Sequence, residues 1–210
     1  METPIQLRAQ DRQRRILDAA MAVFARRGYR AASVDEIVSE SGTSKGGIYF
    51  HFPGKEAIFR ALLDFAAKRL LDRIQTAIDA ETDPIAKADA ALVSVLNSFS
   101  DHRALARLFM VEALGAGSEF NERMAEMRAE FAAVIEKHLS EAVSSGAIAP
   151  LDTAVASRAW FGALNEIILA WLMTETPGRL EDSYASLRPL LMRSVGLEPE
   201  AVPARNGRKS

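Results

Sequence analysis

Apolar residues along this chain recur at intervals of three and four and almost nowhere alternate, which predicts helices throughout and no sheet. In the first segment Ile16, Leu17, Ala20, Val23 and Phe24 share one face, Arg12, Arg14, Arg15, Arg26 and Arg27 surround it, and Gly28 is a natural stop. Ser33 with Glu36 three residues on is a capping box for a second helix, which Gly42 ends after barely two turns. A third short helix is predicted over 44–50, and the Pro53-Gly54 pair breaks the chain before a long helix from Lys55 to about 80. Further on, Asp83-Pro84 reads as a cap and first turn, and Asp101 as the cap of a helix reaching about 114. Gly115 and Gly117 break that helix, Ser118 opens a long one ending near Gly146, and Asp152 caps the next, which stops before Pro177-Gly178. A last helix covers about 180–195. The fold class predicted is all-α, with about nine helices. Residues 1–8 are expected to be a disordered arm and 197–210 a disordered tail.

The stretch SGTSKGGIYFHF, residues 41–52, sets a problem. Each glycine in a helix interior costs roughly 0.8–1 kcal/mol against alanine, yet Gly46 and Gly47 stand side by side in a helix of two turns. Three helices, the second and third short and joined by a tight turn at Ser41-Gly42-Thr43, form the pattern of a helix-turn-helix over 33–52. Ile48 and Phe52, four apart, point to the core. Lys45 and Tyr49, also four apart, are neighbours on another face suited to base edges and phosphates. A residue without a side chain lets backbone approach DNA closely, so both glycines read as clearance for groove insertion.

Composition adjusts this picture in two places. The net charge of −2 advertises no polyanionic partner, but residues 1–60 hold ten Lys/Arg against seven Asp/Glu, whereas the remainder holds sixteen against twenty-one. A mildly basic module on an acidic body fits two parts with different partners. Cysteine is absent, so disulfides and thiolate metal sites are excluded, in keeping with a cytoplasmic location. No apolar run approaches the roughly 18 residues of a membrane span, and no secretory leader is expected.

The segment from Arg12 to about Leu62 resembles the TetR family of bacterial transcription regulators. The matching positions are Ile16, Leu17, Phe24, Gly28, Tyr29, Ser33, Val34, Ile37, the run SGTSKG at 41–46, the cluster IYFHF at 48–52, Lys55 and Ile58. The resemblance implies a helix-turn-helix domain at 9–55 and a helical ligand-binding and dimerisation domain at 56–196. It implies that Ser33 caps the second helix and touches a phosphate, that Thr43, Ser44, Lys45 and Gly46 face bases, and that Tyr49, His51 and Lys55 hold phosphates. The residues give separate support: Lys55 lies in the first turn of a helix, where unpaired N–H groups already favour an anion, and Tyr49 and His51 can donate to phosphate oxygens. His51 can equally pack between Phe50 and Phe52. Arg12, Arg14 and Arg15 fit either the flanking DNA backbone or a solvated face. Asp35, where many members carry a residue able to reach DNA, is expected to face solvent.

The last two helices are the predicted homodimer interface, from the small and aromatic residues Ala156, Trp160, Ala163 and Trp171 and from Tyr184, Leu187 and Leu191; family resemblance implies the same, and an internal core is the competing reading. Phe99, Phe109, Met110, Phe120, Met124, Met127 and Phe131 form an aromatic and methionine stripe through the body, and Phe161 is a further ligand-binding candidate. Such a stripe is core or the wall of an adaptable pocket for a small hydrophobic effector. The runs LARLFMVEALGAGSEF and WFGALNE are similar to members that sense acyl-CoA, and Asn165 is a candidate polar anchor. The function expected is a repressor that binds a palindromic operator in double-stranded DNA as a homodimer and is released by an effector, an acyl-CoA or fatty acid. Two rivals remain. An enzyme would need an active site, and His51, His102 and His138 have no nucleophilic or acidic companion at recognisable spacing; neither a cofactor nor a metal is called for, the stripe Glu122, Glu126, Glu130 reading as a solvated face. A protein-binding helical adaptor explains poorly why a short helix would carry Lys45 beside Tyr49.

Overall fold

The computed structural model describes residues 4–112 and 118–198, and every element among them is helical. In chain order these are α1 (Pro4–Ala31), α2 (Val34–Ser41), α3 (Lys45–His51), α4 (Lys55–Asp79), α5 (Pro84–Asp101) and α6 (Arg103–Arg107). A π-helical turn over Leu108–Glu112 follows, then α7 (Ser118–Ser144), α8 (Thr153–Met173), a 3-10 turn at Leu180–Ser183 and α9 (Tyr184–Ser194). Among the described residues no helix is long and apolar enough to cross a membrane.

Local signals place most of the boundaries. Gly28 leaves the helical region at φ 72° and breaks α1, and Gly42 ends α2 at φ 61°; both conformations favour a residue without Cβ. The carboxylate of Asp83 accepts from the N–H groups of Ile85 and Ala86, and that of Asp152 accepts from Val155. Three expectations change. α1 begins at Pro4, so residues 4–8 are helix rather than arm. Asp101 caps nothing, being the last residue of α5; the single helix expected after it is a five-residue helix followed by a π turn. Leu197, expected to open a disordered tail, packs against Leu139, Ala142, Ile148 and Val195. The break at Gly115–Gly117 lies outside the described residues, as do residues 1–3 and the tail from 199.

By packing, the chain forms two compact units. The first runs to Arg69 and takes in Arg103–Asn121; the second holds Leu70–His102 and continues from Glu122. This division differs from one at residue 55, for a physical reason. Phe59 on α4 has rings around it at 5.2 Å (Phe24), 4.5 Å (Tyr29), 5.4 Å (Phe109) and 5.2 Å (Phe120), so the first half of α4 and the segment carrying Phe109 complete the core behind α1. Phe109 and Phe120 therefore belong to this aromatic core, not to the body stripe. In the second unit, Trp160 of α8 packs on the Leu139/Val195 cluster and donates from Nε1 to Ser194 Oγ at 2.9 Å. α5 and α9 are joined by a two-pronged pair from Arg188 to Asp89, at 2.7 and 2.8 Å and partly buried. Tyr184 stands beside it, its phenol held above the usual range by burial and then by the Asp89 charge.

Candidate nucleic-acid interface

The first two helices are held by short-range devices. Ser33 Oγ accepts from the N–H of Glu36 at 3.2 Å, and the Glu36 carboxylate accepts from the Ser33 N–H at 2.9 Å, so the capping box is complete. Donation to the Glu36 carboxylate from the Ser33 N–H, and then from the Ser33 hydroxyl, holds that carboxyl below its usual range. Arg27 reaches the same carboxylate at 3.0 Å and Arg26 reaches Glu40 at 3.2 Å, tying α1 to α2. The Ser33 hydroxyl also donates to Glu36 at 3.1 Å, so its proton is engaged within the cap.

α3 starts at Ser44, whose Oγ accepts from the Gly47 N–H at 3.2 Å. Ile48 and Phe52 are buried, and this fixes which side faces out. Ser44, Lys45, Gly46, Tyr49 and Phe50 are exposed, with Thr43, Gly47 and His51 half-buried beside them. The structure thus brings together Thr43, Ser44, Lys45, Gly46, Tyr49 and His51 on or beside one short helix. His51 sits edge-on to Phe50 at 5.2 Å and 6.3 Å from Phe52, flanked as the packing reading has it while keeping part of its surface open.

The adjacent glycines separate into two cases. A Cβ at Gly46 would meet nothing within 4 Å, so no packing inside the protein asks for glycine there. A Cβ at Gly47 would meet Thr43 Cγ2 at 2.9 Å and Ser44 Oγ at 3.1 Å. Gly47 accordingly serves the turn and the cap, not groove clearance; only Gly46 retains that reading.

Two charged residues have partners the sequence did not disclose. Lys55, expected to offer its ammonium to a phosphate, donates from Nζ to the carbonyls of Tyr29 (3.0 Å), Arg30 (3.2 Å) and Ala32 (3.0 Å) and lies 4.8 Å from the centre of the Tyr29 ring. An ammonium has three protons, so its donors are filled, and Lys55 ties the end of α1 to the start of α4. Asp35 does not simply face solvent: its Oδ1 accepts from Lys45 Nζ at 2.7 Å, which raises the Lys45 pKa through that hydrogen bond and then the charge. Lys55 and the carbonyls lie more than twenty residues apart, and the Asp35–Lys45 pair depends on the angle between two helices. Neither is visible in a local spacing.

Phe50 also escaped the sequence reading. It is 83% exposed, against 47% for Tyr49. The signal was available, since a residue halfway between the inward-facing Ile48 and Phe52 must point away from the core. Arg12, Arg14 and Arg15 are exposed on α1 with Asp11 and Asp18 around them.

In the second unit the residues expected at a dimer interface divide. Leu187 and Leu191 are buried within the chain, at 6% and 4% exposure, and Tyr184 is half-buried at the Arg188–Asp89 pair. Trp160 and Ala156 pack on the chain's own cluster, and Trp171 donates to the Gly178 carbonyl at 2.8 Å. Exposed on α8 are Val155, Arg158, Ala159, Gly162, Glu166, Ile167, Ala170 and Met173, most of them at helical spacing on one face that mixes small and apolar residues with two charges; Leu190 is the large apolar residue that α9 leaves exposed. Of the body stripe, Met127 is buried, and Phe99, Met124, Phe131, Phe161 and Asn165 are half-buried; Met110, also half-buried, lies in the first unit. Glu126 and Glu130 both bind Arg123, at 3.1 and 2.8 Å, consistent with an ion-paired face.

Two short helices around a left-handed glycine turn, the second presenting a cation, a phenol and bare backbone, define a helix-turn-helix DNA-binding protein. Comparison with known proteins narrows the class. The model of bacterial regulatory proteins of the tetR family matches residues 16–62, and that of the tetracyclin repressor-like C-terminal domain matches 81–174. The HTH-type transcriptional regulator EthR of Mycolicibacterium smegmatis is 30% identical over 192 residues, covering 88% of this chain and 86% of that protein. The fatty acid metabolism regulator protein of Bacillus subtilis is 29% identical over 185 residues, covering 86% and 93%. Among solved structures, the fatty acid degradation regulator FadR from Bacillus halodurans superimposes with a TM-score of 0.77 at 26% identity, covering 84% of this chain and 96% of that one. FadR from Bacillus subtilis, in complex with stearoyl-CoA, gives 0.76 at 25% identity over the same shares. This chain belongs to the TetR family of DNA-binding transcription regulators.

Proposed function

We propose that the protein is a ligand-responsive repressor that binds a palindromic operator as a homodimer and is released by a small hydrophobic effector, a long-chain acyl-CoA or fatty acid. The observation that carries the DNA side is the outer face of α3, where Lys45, Gly46 and Tyr49 stand exposed next to the capping Ser44. In this reading Thr43, Ser44, Lys45 and Gly46 meet base edges, Tyr49 and His51 reach flanking phosphates, Ser33 lies at the margin, and Lys55 sets the helix geometry. Tight binding by so small a unit needs two copies, reading half-sites one helical turn of roughly 34–36 Å or a multiple apart. The exposed face of α8, with Val155, Ala159, Gly162, Ala170 and Met173 beside the charged Arg158 and Glu166, supports a two-fold interface together with Leu190 of α9, and Ala163 sits at its edge.

Support for the effector comes from the stearoyl-CoA bound to the B. subtilis relative and from the half-buried Phe99, Met124, Phe131 and Phe161 and the buried Met127, with Asn165, also half-buried, as a polar anchor. Effector and operator then weaken each other reciprocally, by a coupling typically of 1–3 kcal/mol. The test is selection of duplexes from a random-sequence pool, followed by anisotropy titration of the selected site with and without oleoyl- or stearoyl-CoA. Symmetrical half-sites and displacement by acyl-CoA are expected. Binding indifferent to every acyl chain would overturn the effector, and failure to select any duplex would overturn the regulator reading.

A further inference from the structure

Phe50 is the most exposed large apolar side chain of the described residues, and nothing in the fold accounts for it. The inward positions of α3 belong to Ile48 and Phe52, and the neighbouring ring, His51, meets Phe50 edge-on without covering it. A phenylalanine held in water gives up the burial it would find inside the protein. Its neighbours are informative. One turn earlier on the same face stands Gly46, where a Cβ would touch nothing, and Tyr49 and Lys45 adjoin this strip. A large apolar ring thus stands one turn from uncovered helix backbone, with polar groups alongside.

We propose that Phe50 and the bare backbone at Gly46 read the C5-methyl group of a thymine in the operator's major groove. The inference rests on the reading of α3 as the groove-entering helix and adds the base it selects. The thymine methyl is the apolar feature of the major-groove edges, whose other groups are hydrogen-bond donors and acceptors. A Cβ at residue 46 would occupy the space beside the ring that the methyl needs. The polar neighbours then fix register while the ring distinguishes thymine from cytosine, whose ring lacks the methyl.

The experiment starts from the duplex that the wild-type protein selects. Each thymine of a half-site is replaced singly by deoxyuridine, which removes the methyl and leaves base pairing intact, and affinities are measured by anisotropy for wild type, Phe50→Ala and Phe50→Leu. One position is expected to weaken wild-type binding about fourfold, the value of one buried methyl group. At that position Phe50→Ala should bind thymine and uracil duplexes alike, while Phe50→Leu retains part of the discrimination. Circular dichroism confirms that both variants are folded. Equal losses on uracil substitution in wild type and Phe50→Ala overturn the proposal. So does a Phe50→Ala that weakens all duplexes uniformly, which would place the ring on sugar and phosphate. Absence of any selected duplex instead removes the underlying DNA reading.

Discussion

α3 and α8 are both rich in small and apolar residues, yet the two helices put them to different use. In α3 and its two caps the inward and outward sides are cleanly divided: Ile48 and Phe52 go inward, Ser44 caps, Gly47 makes room for Thr43, and Gly46, Tyr49 and Phe50 stand open. In α8, with twenty-one residues, apolar side chains lie all round, so that Ile168 and Leu172 are buried while Val155 and Met173 are 59% exposed. A short capped helix has one way to orient, because its few inward residues leave one solution. A helix apolar on every face has several, and only its neighbours decide. Sequence spacing therefore assigns function on α3 and leaves the faces of α8 and α9 undetermined.

Substitutions on either side of that contrast can break it, and the largest effect belongs to the buried leucines of α9. Leu187→Ala is expected to cost about 2–5 kcal/mol in urea unfolding, the usual range for a buried leucine. Met173→Ala, on the exposed face, should stay within about 0.5 kcal/mol for the chain's own stability while weakening self-association by sedimentation. The reverse ordering would place the interface back on Leu187 and Leu191. Next come Lys45→Ala and Tyr49→Ala, each expected to lower operator affinity by about 1–3 kcal/mol with helicity unchanged. Normal operator binding by either variant would remove that residue from the interface.

The glycine pair gives a smaller and sharper test. Gly46→Ala should stabilise the fold by up to about 1 kcal/mol, the ordinary alanine advantage in a helix, while reducing operator affinity. Gly47→Ala should lack that stability gain, since its Cβ lies 2.9 Å from Thr43 Cγ2. Two variants with the same melting shift would erase the distinction drawn between them. Ser33→Ala should cost about 1 kcal/mol at neutral pH through loss of the cap. Because the Glu36 carboxyl is depressed in the folded state, its share of the capping box is present above its unfolded pKa and is lost as pH falls through the folded value. The difference between Ser33→Ala and wild type should therefore narrow in acid, read as melting temperature against pH. Least in size is Asp35→Asn, which releases the Lys45 ammonium and should steepen the salt dependence of non-specific DNA binding by up to one phosphate equivalent.

Most of the fold was legible because its boundaries rest on local chemistry. Ser33 with Glu36, Asp83 before Pro84, Asp152, Gly28 and Gly42 each act within three or four residues, and each ends or starts a helix in the structure. Asp101 failed because an acidic residue ahead of an apolar run is as compatible with the last turn of one helix as with the cap of another. The outward face of α3 was equally readable. Lys55 and Asp35 were not, since their partners lie in other helices, and Phe50 was overlooked although the positions of Ile48 and Phe52 already implied its direction.

The Lys55 clasp has a mechanical corollary. Three carbonyls gathered on one ammonium at the first residue of α4 leave little slack between that helix and the end of α1. A rod pinned at its tip has little room to pivot there, so the angle between the start of α4 and the end of α1 is held by the side chain of one residue. Lys55→Met would keep much of the stem and remove the pin, and is expected to weaken amide-exchange protection where α1 ends and α4 begins.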